Sequence, residues 1–352
     1  LHDEQGIDEY PLYEHADVDV ALRRATSIDF HREFLLSADS PLRVEFSRAG
    51  HVLGGACVRL STPDHTLIFT GDICLTPQEL MPGYERPRVQ ESVDTLIIES
   101  TYGANEQADS VSYSAEIKRF AYDLRNTLDN GGTVLVPAFA LGRAQEMLNI
   151  IARLQDAGRV PEVPLYLSGL GRAIYDIYSR YEGLLRPESE LRPLSEFEKI
   201  GDVWDIEVVR RLIEKPCVIV ATSGMMIMNT PSSLVAQQLV REERHGIFFV
   251  GYCDHETLGY KVKHSKKGDR LRFQLGMPET EIVLENIKSY QFSAHAPRKG
   301  LQQVVDDLRP RNLIFVHGDR PAVDWMLENS GDGATKFNPK VGLAVVTKTF
   351  ML

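Results

Sequence analysis

Between Ser110 and Val240 the chain alternates short apolar runs with longer stretches of helical period, and this alternation constrains the fold more than any single motif. Helical period from Ser110 to Leu128 is broken by Asn130-Gly131-Gly132, and TVLVPAF follows as a buried strand. A helix from Leu141 to Leu154, strand VPLYLSG, a helix from Arg172 to Tyr181, strand CVIVATSG and a helix from Ser233 to Val240 continue the pattern. Strand and helix at this spacing build βαβ units on a mostly parallel sheet. Before it the pattern differs: LRVEFS from Leu42, GGACVRL and HTLIFTGD form an antiparallel meander around the turn Ser61 to Asp64, and VDTLIIE ends on the carboxylate of Glu99. After it come a helix from Arg298 to Leu308, strand NLIFVHGD and a last strand, VGLAVVTK, from Val341 to Lys348. The simplest arrangement is one domain, residues 1–104 and 291–352, interrupted by an inserted α/β domain at 105–290. Residues 1–37, with Val18, Leu22, Ala25, Phe34 and Leu35 at helical spacing, are expected to form helices and a connecting loop.

At 352 residues and 43% hydrophobic content the chain can bury a large core. A net charge of -11 excludes a protein whose whole surface grips nucleic acid, so any polyanion site is local. Cys57, Cys74, Cys217 and Cys253 form no CxxC pair, which argues against a disulfide framework or a structural zinc knuckle and for a reducing compartment. No apolar run reaches the roughly 18 residues of a membrane span, and LHDEQGIDEY is not a signal peptide. The expectation is a soluble, cytoplasmic protein.

The chemistry-bearing residues cluster at strand ends. His51, Asp72, Glu99, His295 and His317 stand at strand or loop tips, most of them beside Gly or Ala. Imidazole nitrogen and carboxylate oxygen are the donors zinc prefers, and zinc acidifies water enough to make hydroxide available near neutral pH. A lone residue of this kind is more often a satisfied core histidine or a capping aspartate; the combination is what points to a metal centre.

Five motifs in order give the chain its resemblance. Ala-Gly-His-Val-Leu-Gly-Gly-Ala at 49–56, Thr-Gly-Asp at 70–72, Glu-Ser-Thr-Tyr-Gly at 99–103, Phe-Ser-Ala-His-Ala at 292–296 and Val-His-Gly-Asp at 316–319 resemble the third and fourth metal motifs and motifs A, B and C of the β-CASP branch of the metallo-β-lactamase superfamily. The resemblance implies an αββα sandwich with an inserted α/β β-CASP cap, and zinc-dependent hydrolysis of RNA phosphodiesters, endo- or exonucleolytic. By it His51 binds one of two zinc ions, His317 the other, and Asp72 bridges both, while Glu99 orients His295 to protonate the leaving oxygen. His317 stands where the DNA-directed branch usually has valine, which favours RNA as the partner. Val136 to Glu146 resembles the first strand-to-helix turn of the cap, so Arg143, with Ser293 of motif B and Ser223 of a second cap loop, is a candidate for substrate binding; Arg143 is equally suited to pairing with a carboxylate of its own helix. A homodimer is compatible with the resemblance, and no membrane is implied. The basic run Lys261, Lys263, Lys266, Lys267, Arg270 and Arg272 is suited to guiding RNA or, more commonly, to forming a solvated hairpin.

The family's His-x-His-x-Asp-His is absent, and His51, Asp72 and His317 are too few ligands for two metals. With Leu1 in place of methionine and half a sandwich leaving an apolar sheet face uncovered, the expectation is a metal-dependent ribonuclease met as a fragment lacking that motif, with the activity of the chain as given left open. The alternatives are a non-catalytic RNA-binding or scaffold paralogue and a small-ester or lactone hydrolase on the same sandwich.

Overall fold

Because parallel strands crossed by helices are buried on both faces, they carry nearly continuous apolar runs, and the alternating segment folds in this way. A computed structural model describes residues 13–89, 93–339, 345 and 347. In chain order its elements are helix α1 (His15–Arg24), strands β1 (Phe34–Leu35), β2 (Arg43–Arg48), β3 (Ala56–Thr62), β4 (His65–Phe69) and β5 (Thr95–Glu99), α2 (Tyr113–Asp129), β6 (Val134–Pro137), α3 (Arg143–Asp156), β7 (Leu165–Ser168), α4 (Gly171–Arg180), β8 (Glu198–Lys199) and α5 (Ile206–Leu212). They continue with β9 (Val218–Ala221), α6 (Pro231–Leu239), β10 (Gly246–Phe249), α7 (Leu258–Lys263), β11 (Arg270–Leu271), β12 (Thr280–Glu281), β13 (Ile287–Ser289), α8 (Arg298–Leu308), β14 (Asn312–Val316), α9 (Arg320–Asn329) and β15 (Thr335–Phe337).

Six strands form one parallel sheet in the order β13-β10-β6-β9-β7-β8. Val134, Val136, Val218, Val220 and Phe248 pack on one face with Phe120 and Leu124 of α2 and Met147 and Ile151 of α3. Leu135, Ile219, Ile247 and Phe249 pack on the other with Val209, Val235, Leu239 and Val262 of α5, α6 and α7. Phe120 meets Phe248, Tyr290 and Phe292 edge-on at 5.9, 5.1 and 5.7 Å between ring centres, a geometry contributing about 0.5–1.5 kcal/mol per pair beyond area.

The second sheet runs β1-β2-β3-β4-β5-β14-β15, antiparallel through the meander and parallel from β4 onward. Cys57, Ile68, Leu96, Ile98, Leu313 and Phe315 bury one face against Leu301, Val304 and Leu308 of α8 and Val323 and Met326 of α9. The opposite face is only partly covered. There Val58 pairs with Phe69 and Leu60 with Leu67, and Phe69 is 41% exposed.

Three local expectations change. Phe34 and Leu35 form edge strand β1 rather than helix, with the Phe34 ring 5.8 Å from that of Phe46; two apolar residues cannot establish a helical period. Helix α1 forms but buries nothing, and Leu22 is 67% exposed. The strand expected at Val341 to Lys348 falls almost wholly outside the described residues, and β15, which lacked a strand signal, pairs with β14. The four cysteines are buried free thiols. No helix among the described residues is long and apolar enough to cross a membrane.

One buried histidine makes folding sensitive to acid. His245 is fully buried, and its Nδ1 accepts the Thr133 N–H at 3.0 Å. Burial, with help from Arg244, pushes its pKa down to about 4. The unfolded chain therefore takes up this proton first, so the contribution of His245 is complete above the ordinary histidine pKa and is lost as pH falls toward the folded value. Asparagine offers an oxygen near the Nδ1 position without titrating, so the stability of the wild type relative to His245→Asn is expected to fall by about 2 kcal/mol between pH 7 and pH 5. Urea unfolding of both proteins at the two pH values measures it, and parallel pH profiles would refute it.

Candidate active site

Strand register brings the motif tips together. Val316 pairs with Glu99, so the residues following β14 and β5 leave the sheet side by side. Gly318 permits this approach: a Cβ there would lie 2.5 Å from Ser100 Oγ. On the other flank an isolated bridge pairs Gly50 with Ile73, drawing the His51 loop beside Asp72. Gly50 has φ +77°, and a Cβ there would lie 2.5 Å from the Cys74 carbonyl oxygen, so both conformation and space require glycine.

Asp72, Glu99, His295 and His317 offer ligand atoms within 4.8 Å of one another. His317 Nδ1 is 3.2 Å from Asp72 Oδ1, while His51 Nε2 is 3.8 Å from Asp72 Oδ2, so the two imidazoles approach different oxygens of one carboxylate. His51 Nδ1 is 2.9 Å from the Ala294 carbonyl oxygen; a carbonyl only accepts, so the proton sits on Nδ1 and the Nε2 lone pair is free. Burial holds His51 below the ordinary histidine range, against the Ala294 carbonyl and Asp72, which favours the neutral, metal-binding form. His317 has a left-handed backbone, φ +53°, and its carbonyl accepts a hydrogen bond from Thr101 Oγ1 at 3.1 Å.

Glu99 is committed on both oxygens. Oε1 accepts the Ile73 N–H at 2.6 Å and Oε2 accepts His295 Nδ1–H at 2.9 Å. Burial pulls the His295 pKa down, but the Glu99 hydrogen bond and the charges of Glu99 and Asp72 outweigh it, leaving the imidazole above its ordinary value. The donor set fits a divalent ion of zinc type: oxygen and imidazole nitrogen, one imidazole with its tautomer fixed by a carbonyl, and open space beyond.

That space is a cavity of about 1430 Å³ between the tips of the seven-stranded sheet and the parallel unit. His51, Asp72, His295, His317, Ser293 and Arg143 all line it. Ser293 Oγ accepts the His295 N–H at 3.0 Å and so shapes the turn carrying that imidazole. Arg143 is 6% exposed, donates from Nη2 to Gln78 Oε1 at 2.9 Å, and has no hydrogen-bond partner for Nη1 among the described residues. Ser223 lies outside the cavity wall, where its Oγ accepts the Ile227 N–H at 2.9 Å. The basic run is also absent from the wall, and Lys267 is paired with Glu243. Thr101, Gln78 and Glu146 carried no assigned role in the sequence; only Glu146, an acid among apolar helix residues, left a signal there.

A mixed sheet with imidazoles and carboxylates at its strand tips, facing an inserted parallel α/β unit, defines the metallo-β-lactamase fold with a cap. The chain belongs to the β-CASP family of that superfamily. Residues 144–262 match the Beta-Casp domain, and residues 280–329 match the Zn-dependent metallo-hydrolase RNA specificity domain. The chain is 31% identical over 333 residues to transcription termination factor FttA of Pyrococcus horikoshii, an alignment covering 88% of this chain and 48% of that protein. It is 27% identical over 310 residues to an RNase J-like protein of Methanocaldococcus jannaschii (88% of this chain, 70% of that protein). It is also 27% identical over 310 residues to Integrator complex subunit 11 of Danio rerio (87% and 49%). The chain thus spans about half the length of FttA. A crystal structure of a protein of unknown function from Enterococcus faecalis V583 shares the fold at TM-score 0.51 and 12% identity, covering 90% of this chain and 66% of that one.

Proposed function

We propose that this chain forms the cleft of a zinc-dependent RNA phosphodiester hydrolase, with domains at 1–104 plus 291–352 and 105–290. The convergence of Asp72, Glu99, His295 and His317 within 4.8 Å, with Asp72, His295 and His317 lining a large cavity, carries the proposal. Asp72, His51 and His317 are the residues that would hold zinc, the two histidines approaching separate oxygens of the Asp72 carboxylate. When bound, zinc supplies positive charge to the phosphate and acidifies water. The remaining chemistry belongs to the chain. Arg143, whose Nη1 has no partner among the described residues, would donate to a phosphate oxygen, and Glu99, by accepting Nδ1–H, leaves His295 Nε2 to donate a proton to the departing sugar oxygen. RNA-related names among the relatives and the RNA specificity domain support RNA as the substrate. The reading extends to a cytoplasmic location and to a homodimer, which sedimentation of the purified chain tests.

Cleavage of single-stranded RNA is expected in zinc and is expected to fall at least about 100-fold on chelation, returning when zinc is restored. Gel analysis of end-labelled RNA, with DNA of the same sequence alongside, measures this. The absence of His-x-His-x-Asp-His favours a second reading, an RNA-binding scaffold. Tight RNA binding without cleavage would establish that reading and overturn the first, and ester hydrolysis without RNA binding would overturn both.

A further inference from the structure

We propose that Gln78 is a positioning residue that ties the His51 loop to the substrate-facing guanidinium of Arg143. Gln78 is 2% exposed and sits in the loop after Asp72. Its Nε2 donates to the carbonyl oxygens of Gly50 at 2.7 Å and His51 at 3.0 Å, and its Oε1 accepts from Arg143 Nη2 at 2.9 Å. Carbonyls only accept and guanidinium only donates, so the amide can sit one way round. One side chain thereby joins two successive carbonyls of the His51 loop to the cap.

Its own backbone is held from the cap side. Arg186 Nη1 donates to the Gln78 carbonyl, and Glu146 accepts the N–H groups of Glu79, Leu80 and Met81. Glycine is required at position 50, so no side chain there can anchor the loop, and the carbonyl bonds from Gln78 take that part. Arg143 lines the cavity, and its buried Nη1 has no hydrogen-bond partner among the described residues. An ionised donor left this way is costly until an anionic oxygen takes it. An anion seated there is two hydrogen bonds from the His51 backbone, through Gln78. The proposal rests on the RNA reading above in taking that anion to be a backbone phosphate. Gln78 is absent from the cavity wall, so it acts only through its two neighbours.

Hydrogen–deuterium exchange of the full 352-residue chain, stripped of metal and mixed with a short single-stranded oligouridylate, tests the link. In the wild type, RNA is expected to slow exchange both in the 139–145 turn and in the 49–54 loop. In Gln78→Met, protection of 139–145 persists while that of 49–54 is lost, and zinc affinity in a chelator competition falls by about tenfold. Protection by direct covering would survive the substitution, because Gln78 does not face the cavity. If the methionine variant does not fold, Gln78→Glu, which keeps the acceptor for Arg143 but turns an acceptor toward the two carbonyls, is read in the same way. Unchanged RNA-induced protection of 49–54 in the variant overturns the link and leaves the RNA reading intact. No protection anywhere in the wild type overturns both.

Discussion

Replacing His295 with alanine is expected to slow zinc-dependent RNA cleavage by about 10²–10⁴-fold, with RNA affinity and zinc content little changed. The loss follows from how the imidazole is held. Glu99, 1% exposed, fixes Nδ1 from one side and is itself pinned by the Ile73 amide, so the ring has one orientation and only Nε2 is left for a substrate. The net upward pull on its pKa keeps a proton available near neutrality. Thr101 Oγ1, 3.3 Å from the same Nδ1, cannot replace the carboxylate, since it carries no charge. Glu99→Gln should accordingly reproduce much of the alanine defect while leaving His295 in place. Single-turnover rates, filter binding and zinc content of the purified variants separate the roles. Loss of zinc from His295→Ala, with RNA binding intact, would make His295 a ligand and not the acid, and cleavage within about tenfold of wild type would remove it from the chemistry.

His51, Asp72, Glu99, His295 and His317 are legible from sequence because each stands at a strand or loop tip, most of them beside small residues, inside a motif that resembles one of the family's. The parallel cap is legible for a related reason: strands buried on both faces leave long apolar runs between helical periods. Other parts depend on contacts that sequence does not display. Gln78 reaches Gly50 across 28 positions and Arg143 across 65, and a glutamine in a proline-rich loop resembles any solvated one. Thr101 matters only because register sets β5 beside β14. Ser223 belongs to a glycine-containing loop at a strand end, yet its hydroxyl oxygen accepts the Ile227 N–H within its own turn and the residue lies outside the cavity wall. Position in a motif assigns a residue to the neighbourhood of a site; the direction of the side chain decides whether it takes part.

Glu146→Ala is expected to cost about 3–5 kcal/mol of stability at pH 7. The carboxylate lies in α3, 1% exposed, and accepts the Glu79 N–H at 2.6 Å, the Leu80 N–H at 3.1 Å and the Met81 N–H at 3.2 Å, so one side chain of the cap satisfies three successive amides of the loop that carries Gln78. Alanine leaves those donors buried beside the cation of Arg143, and the loop can recover hydrogen bonds only by opening to water. Burial pushes the Glu146 pKa up to about 7, against the pull of Arg143 and the amides. The folded form therefore takes up a proton that the unfolded chain, with its ordinary value of 4.5, does not, and the contribution of this group grows as pH falls from 7 and shrinks as pH rises through 7. That sign is opposite to the sign at His245, so in the wild type the two buried groups offset one another between pH 7 and pH 5. Removing Glu146 should both lower stability and expose the histidine contribution, giving a variant whose stability falls more steeply than that of the wild type between pH 7 and pH 5. Urea unfolding across that range tests both halves. A variant within about 1 kcal/mol of wild type at pH 7 would show that the three amides find other partners, and the tie between cap and His51 loop would then rest on Gln78, Arg186, the Arg153–Glu79 pair and the bond from the Leu53 N–H to the Tyr178 hydroxyl.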